Sequence, residues 1–425
     1  MQDVLTRIDK LDPVLNAFIR LDHETALADA KLAAHEIAAG RSRGPLHGVP
    51  IGIKDVIDVA GQPTTCHSKL RLDHVAACDA AVVARLRAAG AIIVGKLATH
   101  EFAIGGPAFD LPFPPARNPW NPMCHPGGSS SGAGAAIAAG LLPGAVGTDT
   151  AGSIRNPASA CGIVGLKPTY GAVSRRGVFP LAFSLDHVGP LTRSVADSAI
   201  MLDAMRGGRG VDRDLDEGVQ GIRIGVVRHF HEVDLPGDPE VGAAIEVVAR
   251  ALGEAGALVS QVWLPSLLEF NAVNRVILAA EGFAIHANDL RERPGDYAEI
   301  TRRTLLTGAF LTAEDYVAAM RRRTQMIAAV DAVFAKVDIL LTASSLFPAC
   351  AIDDAAEIQR TYLAQARTPF NLTGHPALAM MSGLSSAGMP LSVQLAARRH
   401  DEATLFRVAA VWEREMGGPQ RPAIG

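Results

Sequence analysis

Residues 126–159 read Pro-Gly-Gly-Ser-Ser-Ser-Gly-Ala-Gly-Ala-Ala-Ile-Ala-Ala-Gly-Leu-Leu-Pro-Gly-Ala-Val-Gly-Thr-Asp-Thr-Ala-Gly-Ser-Ile-Arg-Asn-Pro-Ala-Ser. Serines followed by an Ala-rich run predict a helix N-terminus, where hydroxyls cap N–H groups left without partners by the first turn. The second cluster, Thr150-Ala151-Gly152-Ser153, predicts a turn whose successive backbone N–H groups converge on one oxygen. From Asn118 to Thr148 the chain carries no Asp, Glu, Lys or Arg, yet Gly, Ser and Pro crowd it, so it reads as a buried core of small residues and not as a membrane span.

Outward from this stretch, helical and β-branched patterns alternate. Residues 24–39 read as a helix, 49–53 as a strand, 80–89 as a helix and 91–94 as a strand. Residues 206–221 are polar and Gly-rich and read as an exposed connection between two halves of one domain spanning 1–425. Beyond it the pattern resumes: strands at 222–227 and 257–263 around a helix at 239–255, then a long helix from Thr312 to Ala335 opened by Thr-Ala-Glu-Asp. Strands at 338–341, 377–381 and 391–395 precede a last helix at 402–415. The alternation predicts an α/β protein with a large mixed, mostly parallel central β-sheet covered by helices on both faces.

With 425 residues, 48% of them hydrophobic and 20% charged, the chain can bury enough apolar surface to order itself. Its net charge of −4, without long runs of either sign, argues against nucleic-acid and membrane-surface partners. Five scattered cysteines (Cys66, Cys78, Cys124, Cys161, Cys350) without a C-x-x-C pair, and acids in the first ten residues where a signal peptide would be apolar, predict a cytoplasmic protein.

Three motif-like stretches fail on chemistry. Gly90 to Leu97 has phosphate-loop spacing, but Leu97 stands where a Ser or Thr would hold magnesium. Gly128 to Gly132 fits G-x-S-x-G without the hydrophobic strand that a nucleophile elbow follows. The 13 histidines lack H-x-x-x-H spacing, so no metal and no cofactor are expected.

The order Pro126-Gly-Gly-Ser129-Ser-Ser-Gly, with Ser153 24 residues after Ser129, resembles the amidase signature family. So do Leu46-His-Gly-Val-Pro-Ile-Gly-Ile-Lys54-Asp55, Gly95 to Phe102, Cys161 to Gly171, Ser184 to Pro190, Asn371-Leu-Thr-Gly-His-Pro-Ala and Gln394-Leu. The resemblance implies a Ser-Ser-Lys triad in the amidase signature fold: Ser153 as nucleophile, Ser129, preceded by a cis peptide after Gly128, as the bridging hydroxyl, and Lys54 as base. It implies an oxyanion hole of backbone N–H groups from Thr150, Ala151, Gly152 and Ser153, each donor worth about 3 kcal/mol of barrier. Asp149 and Arg155 would brace the nucleophile loop, the alternative for Arg155 being a substrate carboxylate, and Ser130 and Ser131 would cap and support. Lys96 and Lys167 are read as structural. An exposed lysine needs about 4 kcal/mol to be neutral near pH 7.5, so Lys54 must be buried to act.

Two departures stand out: Ala151 replaces a usual Gly, which would strain a positive φ, and residues 105–116 are unusual for the family. The implied activity is hydrolysis of a small-molecule carboxamide to acid and ammonia through an acyl-enzyme, with no nucleic acid or membrane involved and a homodimer left open. The alternatives are the glutaminase (A) subunit of a tRNA-dependent amidotransferase and a non-catalytic binding protein on the same fold. Phe102, Phe109, Phe113, Trp120 and Phe179 are the aromatic candidates for an acyl pocket.

Overall fold

Along the strand that holds Ile92, Ile93 and Val94, successive side chains enter different cores, as period-2 alternation requires. Ile93, Val146, Leu378 and Met380 pack on one face, while Ile92, Val94, Ala145 and Ala379 pack on the other. The computed structural model describes residues 1–208, 210–362 and 364–424.

Among the described residues eleven strands form one sheet: β1 Phe18–Leu21, β2 Pro50–Lys54, β3 Ile92–Leu97, β4 Gly144–Asp149, β5 Val164–Lys167, β6 His187–Thr192, β7 Arg223–Val226, β8 Leu258–Gln261, β9 Ile339–Ala343, β10 Ala377–Leu384 and β11 Pro390–Ala397. Their order is β1-β3-β2-β4-β6-β5-β10-β11-β9-β7-β8. Helices Ala81–Ala88, Val195–Arg206, Pro239–Glu254 and Glu402–Glu415 cover the first face; Gln2–Leu15, His23–Ala38, Ser131–Ala138 and Arg155–Cys161 cover the second.

The sheet is mixed, but the expected parallel majority is corrected: only β2–β3, β2–β4, β7–β8 and β7–β9 are parallel. The middle, β4-β6-β5-β10-β11-β9, is antiparallel throughout. Parallel neighbours need a crossover, whereas β5 reaches β6 without a helix and β10 reaches β11 by a hairpin in which Ser385 N donates to Met389 O at 2.8 Å.

Residues 206–221 are also less exposed than expected. Val211 and Val219 are buried, and the Asp203 carboxylate accepts from Gly210 N at 2.6 Å, which ties the segment to the end of the preceding helix. Arg209, within that expected connection, lies outside the described residues. Strands from before and after the segment meet where β5 pairs with β10. Among the described residues no helix is long and apolar enough to cross a membrane.

Candidate active site

Lys54 is the last residue of β2, and its side chain is fully buried. Parallel pairing of β2 with β4 brings it beside Thr148, and the loop before helix Ser131–Ala138 brings Ser129. Lys54 Nζ donates to Ser129 Oγ at 2.7 Å and to Thr148 Oγ1 at 2.8 Å. Burial drives the amine from its ordinary 10.5 down to about 7, against the opposing pull of Asp149, Asp186 and Cys66. The Gly128–Ser129 peptide is cis. A Cβ on Gly128 would collide with the His100 ring, so only glycine fits there. His100 N–H in turn donates to Ser129 O at 3.1 Å, and burial, reinforced by Lys54, holds its imidazole near 3 and so uncharged at neutral pH. Gly128→Ala should push His100 and Ser129 apart and lower kcat/KM by about 100-fold, since a shift of 1 Å at a reacting group has that size of effect; near-normal turnover with an unchanged circular dichroism spectrum would refute this packing argument.

β4 ends at Asp149, which shapes the turn that follows. Asp149 Oδ1 accepts from Gly152 N at 2.8 Å and Oδ2 from Ile154 N at 3.2 Å. Gly152 N–H is therefore spent, which corrects its expected place in the oxyanion hole. The N–H groups of Thr150, Ala151 and Ser153 carry no hydrogen bond among the described residues. The positive φ of this turn, +120°, falls on Gly152, where a Cβ would collide with Arg367 Nε; Ala151 adopts no positive φ, so the strain expected there is absent.

Arg155, buried completely, donates Nε to Asp149 Oδ2 at 3.0 Å and Nη2 to Asp149 Oδ1 at 2.9 Å. The same guanidinium reaches Gln394 Oε1 at 2.6 Å, Asn371 Oδ1 at 2.6 Å and Arg367 O at 2.8 Å. Burial works against charge on Asp149, but the Arg155 charge, the Arg155 hydrogen bonds and Asn371 hold its carboxyl far below the usual carboxylate range. With every edge occupied, Arg155 has no fork left for a substrate carboxylate. Ser130 occupies the N-cap of Ser131–Ala138 without capping it through its side chain; Ser130 Oγ donates instead to Thr148 O at 3.3 Å. Lys96 pairs with Asp55 at 2.8 Å, and Lys167 donates to the carbonyls of Pro168 and His375, so neither reaches Ser129.

Ser153, half-buried, lines a cleft of about 1010 Å³ together with His100, Gly128 and residues 150–152. No hydrogen bond ties the Ser153 hydroxyl among the described residues. Gly105 and residues 107–110 form part of the wall, and of the five candidate aromatics only Phe109 lines it. Phe102 packs in the core against Phe179, His286 and Tyr297; Phe113 sits against His67; and Trp120 Nε1 donates to Cys161 O at 2.8 Å. Sequence reasoning gave no role to Thr148, His100, Asn371, Gln394 or Arg367. Asn371 and Gln394 lay in quoted motifs, and a signal existed for them; Arg367 had none. No group of three or more His, Cys, Asp or Glu side chains is placed to hold a metal among the described residues.

Fold and cleft together define a hydrolase acting on amide C–N bonds. The chain belongs to the amidase family, whose model matches residues 1–406. A curated relative in Roseiflexus sp. (strain RS-1), the A subunit of its glutamyl-tRNA(Gln) amidotransferase, is 37% identical over 97% of this chain and 91% of its own. Among solved structures, one described as an unexpected vestigial protein complex that reveals the origins of an s-triazine catabolic enzyme superposes with a TM-score of 0.92 at 34% identity, covering 100% of this chain and 95% of that one. The peptide amidase of Stenotrophomonas maltophilia gives 0.85 at 29% identity, with 99% and 94% covered.

Proposed function

We propose that this chain, one domain over residues 1–425, hydrolyses a small carboxamide to carboxylic acid and ammonia without a cofactor, with Ser153 as nucleophile, Ser129 as bridge and Lys54 as base. The observation that carries the reading is the buried Lys54 Nζ on Ser129 Oγ at 2.7 Å, an amine brought near neutrality and aimed at a hydroxyl. As Ser153 Oγ closes on Ser129 and attacks the carbonyl carbon, its proton passes to Ser129 and the Ser129 proton to Lys54, because a hydroxyl can accept and donate at once. The N–H groups of Thr150, Ala151 and Ser153 receive the oxyanion. The proton returns to the leaving nitrogen, ammonia departs, and water attacks the acyl-Ser153 ester with the same relay as base.

The base must be uncharged to accept a proton, so kcat/KM should climb as pH rises through about 7 and level off above it. Ammonia release from a panel of amides between pH 5.5 and 9 measures this; a flat profile in Ser153-dependent activity would remove Lys54 from the mechanism.

A second reading, the glutaminase component of a tRNA-dependent amidotransferase, is favoured by the name of the curated relatives. It uses the same site. Hydrolysis confined to glutamine, together with co-purifying partner proteins, would select it over the stand-alone amidase.

A further inference from the structure

Arg367 stands beside the nucleophile turn at the edge of helix Thr368–Thr373, only 2% exposed, yet it lines the cleft. Its side chain lies on Gly152, where a Cβ would collide with Nε and come within 2.7 Å of Cδ, one residue from Ser153. Nη1 donates to Ser345 Oγ at 2.7 Å. Among the described residues the buried Nε has no partner, and neither Nη2 nor any other atom of this guanidinium meets a carboxylate. A buried cation without a contacting counter-charge is costly, and the Asp149 charge, itself paired with Arg155, offsets that cost only from a distance.

We infer that Arg367 is the subsite for a carboxylate on the substrate's acyl portion, so that the preferred amides are short monoamides of dicarboxylic acids. The inference rests on the amidase reading above. The N–H groups that Arg367 leaves without protein partners can take a carboxylate through two parallel hydrogen bonds, a geometry lysine cannot reproduce. Its contact with Gly152, the residue before Ser153, favours a short spacer between that carboxylate and the scissile carbonyl. Burial lowers the guanidinium to about 9, which leaves it cationic at neutral pH. Of the other arginines near the cleft, Arg155 is saturated by Asp149, Asn371 and Gln394, Arg303 pairs with Glu299 at 2.7 Å, and Arg275 is exposed to solvent.

The test is the ratio of kcat/KM for malonamate and succinamate to that for propionamide and butyramide, in which a methyl replaces each carboxylate. The ratio should be about 100-fold or more in the wild-type protein and collapse towards unity in Arg367→Met and in Arg367→Lys, as truncating one partner of a buried charge pair commonly does. A wild-type ratio near unity, or variants in which both kinds of amide slow equally, would overturn the proposal. Calorimetry on Ser153→Ala separates this from the parent reading: malonamate should bind and propionamide should not, and adding Arg367→Met should abolish binding. Binding without turnover by the wild-type protein would sink the amidase reading and keep the subsite; turnover of neutral amides with no malonamate binding would do the reverse.

Discussion

Ser153→Ala should lower kcat/KM for any carboxamide by about 10⁴-fold to 10⁶-fold, the range seen when a nucleophile that acts as part of a unit is removed. The hydroxyl at this position lines the cleft and has no competing hydrogen bond among the described residues, so under the proposed mechanism its loss takes away the attacking atom and leaves the surrounding packing unchanged. What survives should be the contribution of the three free N–H groups on residues 150, 151 and 153, which can still polarise a bound carbonyl. Steady-state ammonia release, paired with labelling by a serine-directed fluorophosphonate, measures both parts: wild-type protein should be labelled on the peptide containing Ser153, and the variant should not. Retention of full activity in Ser153→Ala would end the assignment.

The largest effect on stability should come from Arg155→Met, at about 3–5 kcal/mol, because removing one member of a buried ion pair leaves an uncompensated charge. Here the stranded group is Asp149, fully buried, and the loss also unpairs the oxygens of Asn371 and Gln394. Asp149 could not respond by simply accepting a proton, since it also receives the N–H groups of Gly152 and Ile154, which favour its anion. Urea denaturation gives the number. The double variant Asp149→Asn with Arg155→Met should be less destabilised than the sum of the two singles, as coupled partners are. A change under about 1 kcal/mol in Arg155→Met would show that the network holds nothing together.

Much of the fold was legible because its signals are local. The capping box at Thr312, where Asp315 and Thr312 exchange hydrogen bonds, and the helix Glu402–Glu415 followed from residues a few positions apart. The helix Leu267–Glu292 was not anticipated, since it buries Asn274, Glu281 and His286 together with its apolar residues, which blurs the stripe that marks a helix face. The antiparallel centre of the sheet escaped for another reason: strand direction depends on where a connection returns, and composition carries no record of that.

At the site the same division holds. Lys54, Ser129 and Ser153 each lie in a stretch whose order of residues is unusual, and the first two meet at 2.7 Å. Gly152 looked like a donor because its N–H follows its neighbours in sequence, but Asp149 folds back to claim it. Arg367 sits in an ordinary Ala-Arg-Thr-Pro context, and its meaning comes only from what surrounds it in space: a glycine of the turn that carries Ser153, a serine of another segment and, among the described residues, no acid in contact.

The seam where β5 lies against β10 joins strands drawn from the two sides of residues 206–221, and Arg155 on one side grips Asn371 and Gln394 on the other. A protease nick inside that stretch should therefore leave two fragments that stay clasped and still turn over amides. Either fragment made by itself would expose an open sheet edge and half a polar lattice, so reconstitution from separately expressed pieces would regain enzyme activity only when both are present.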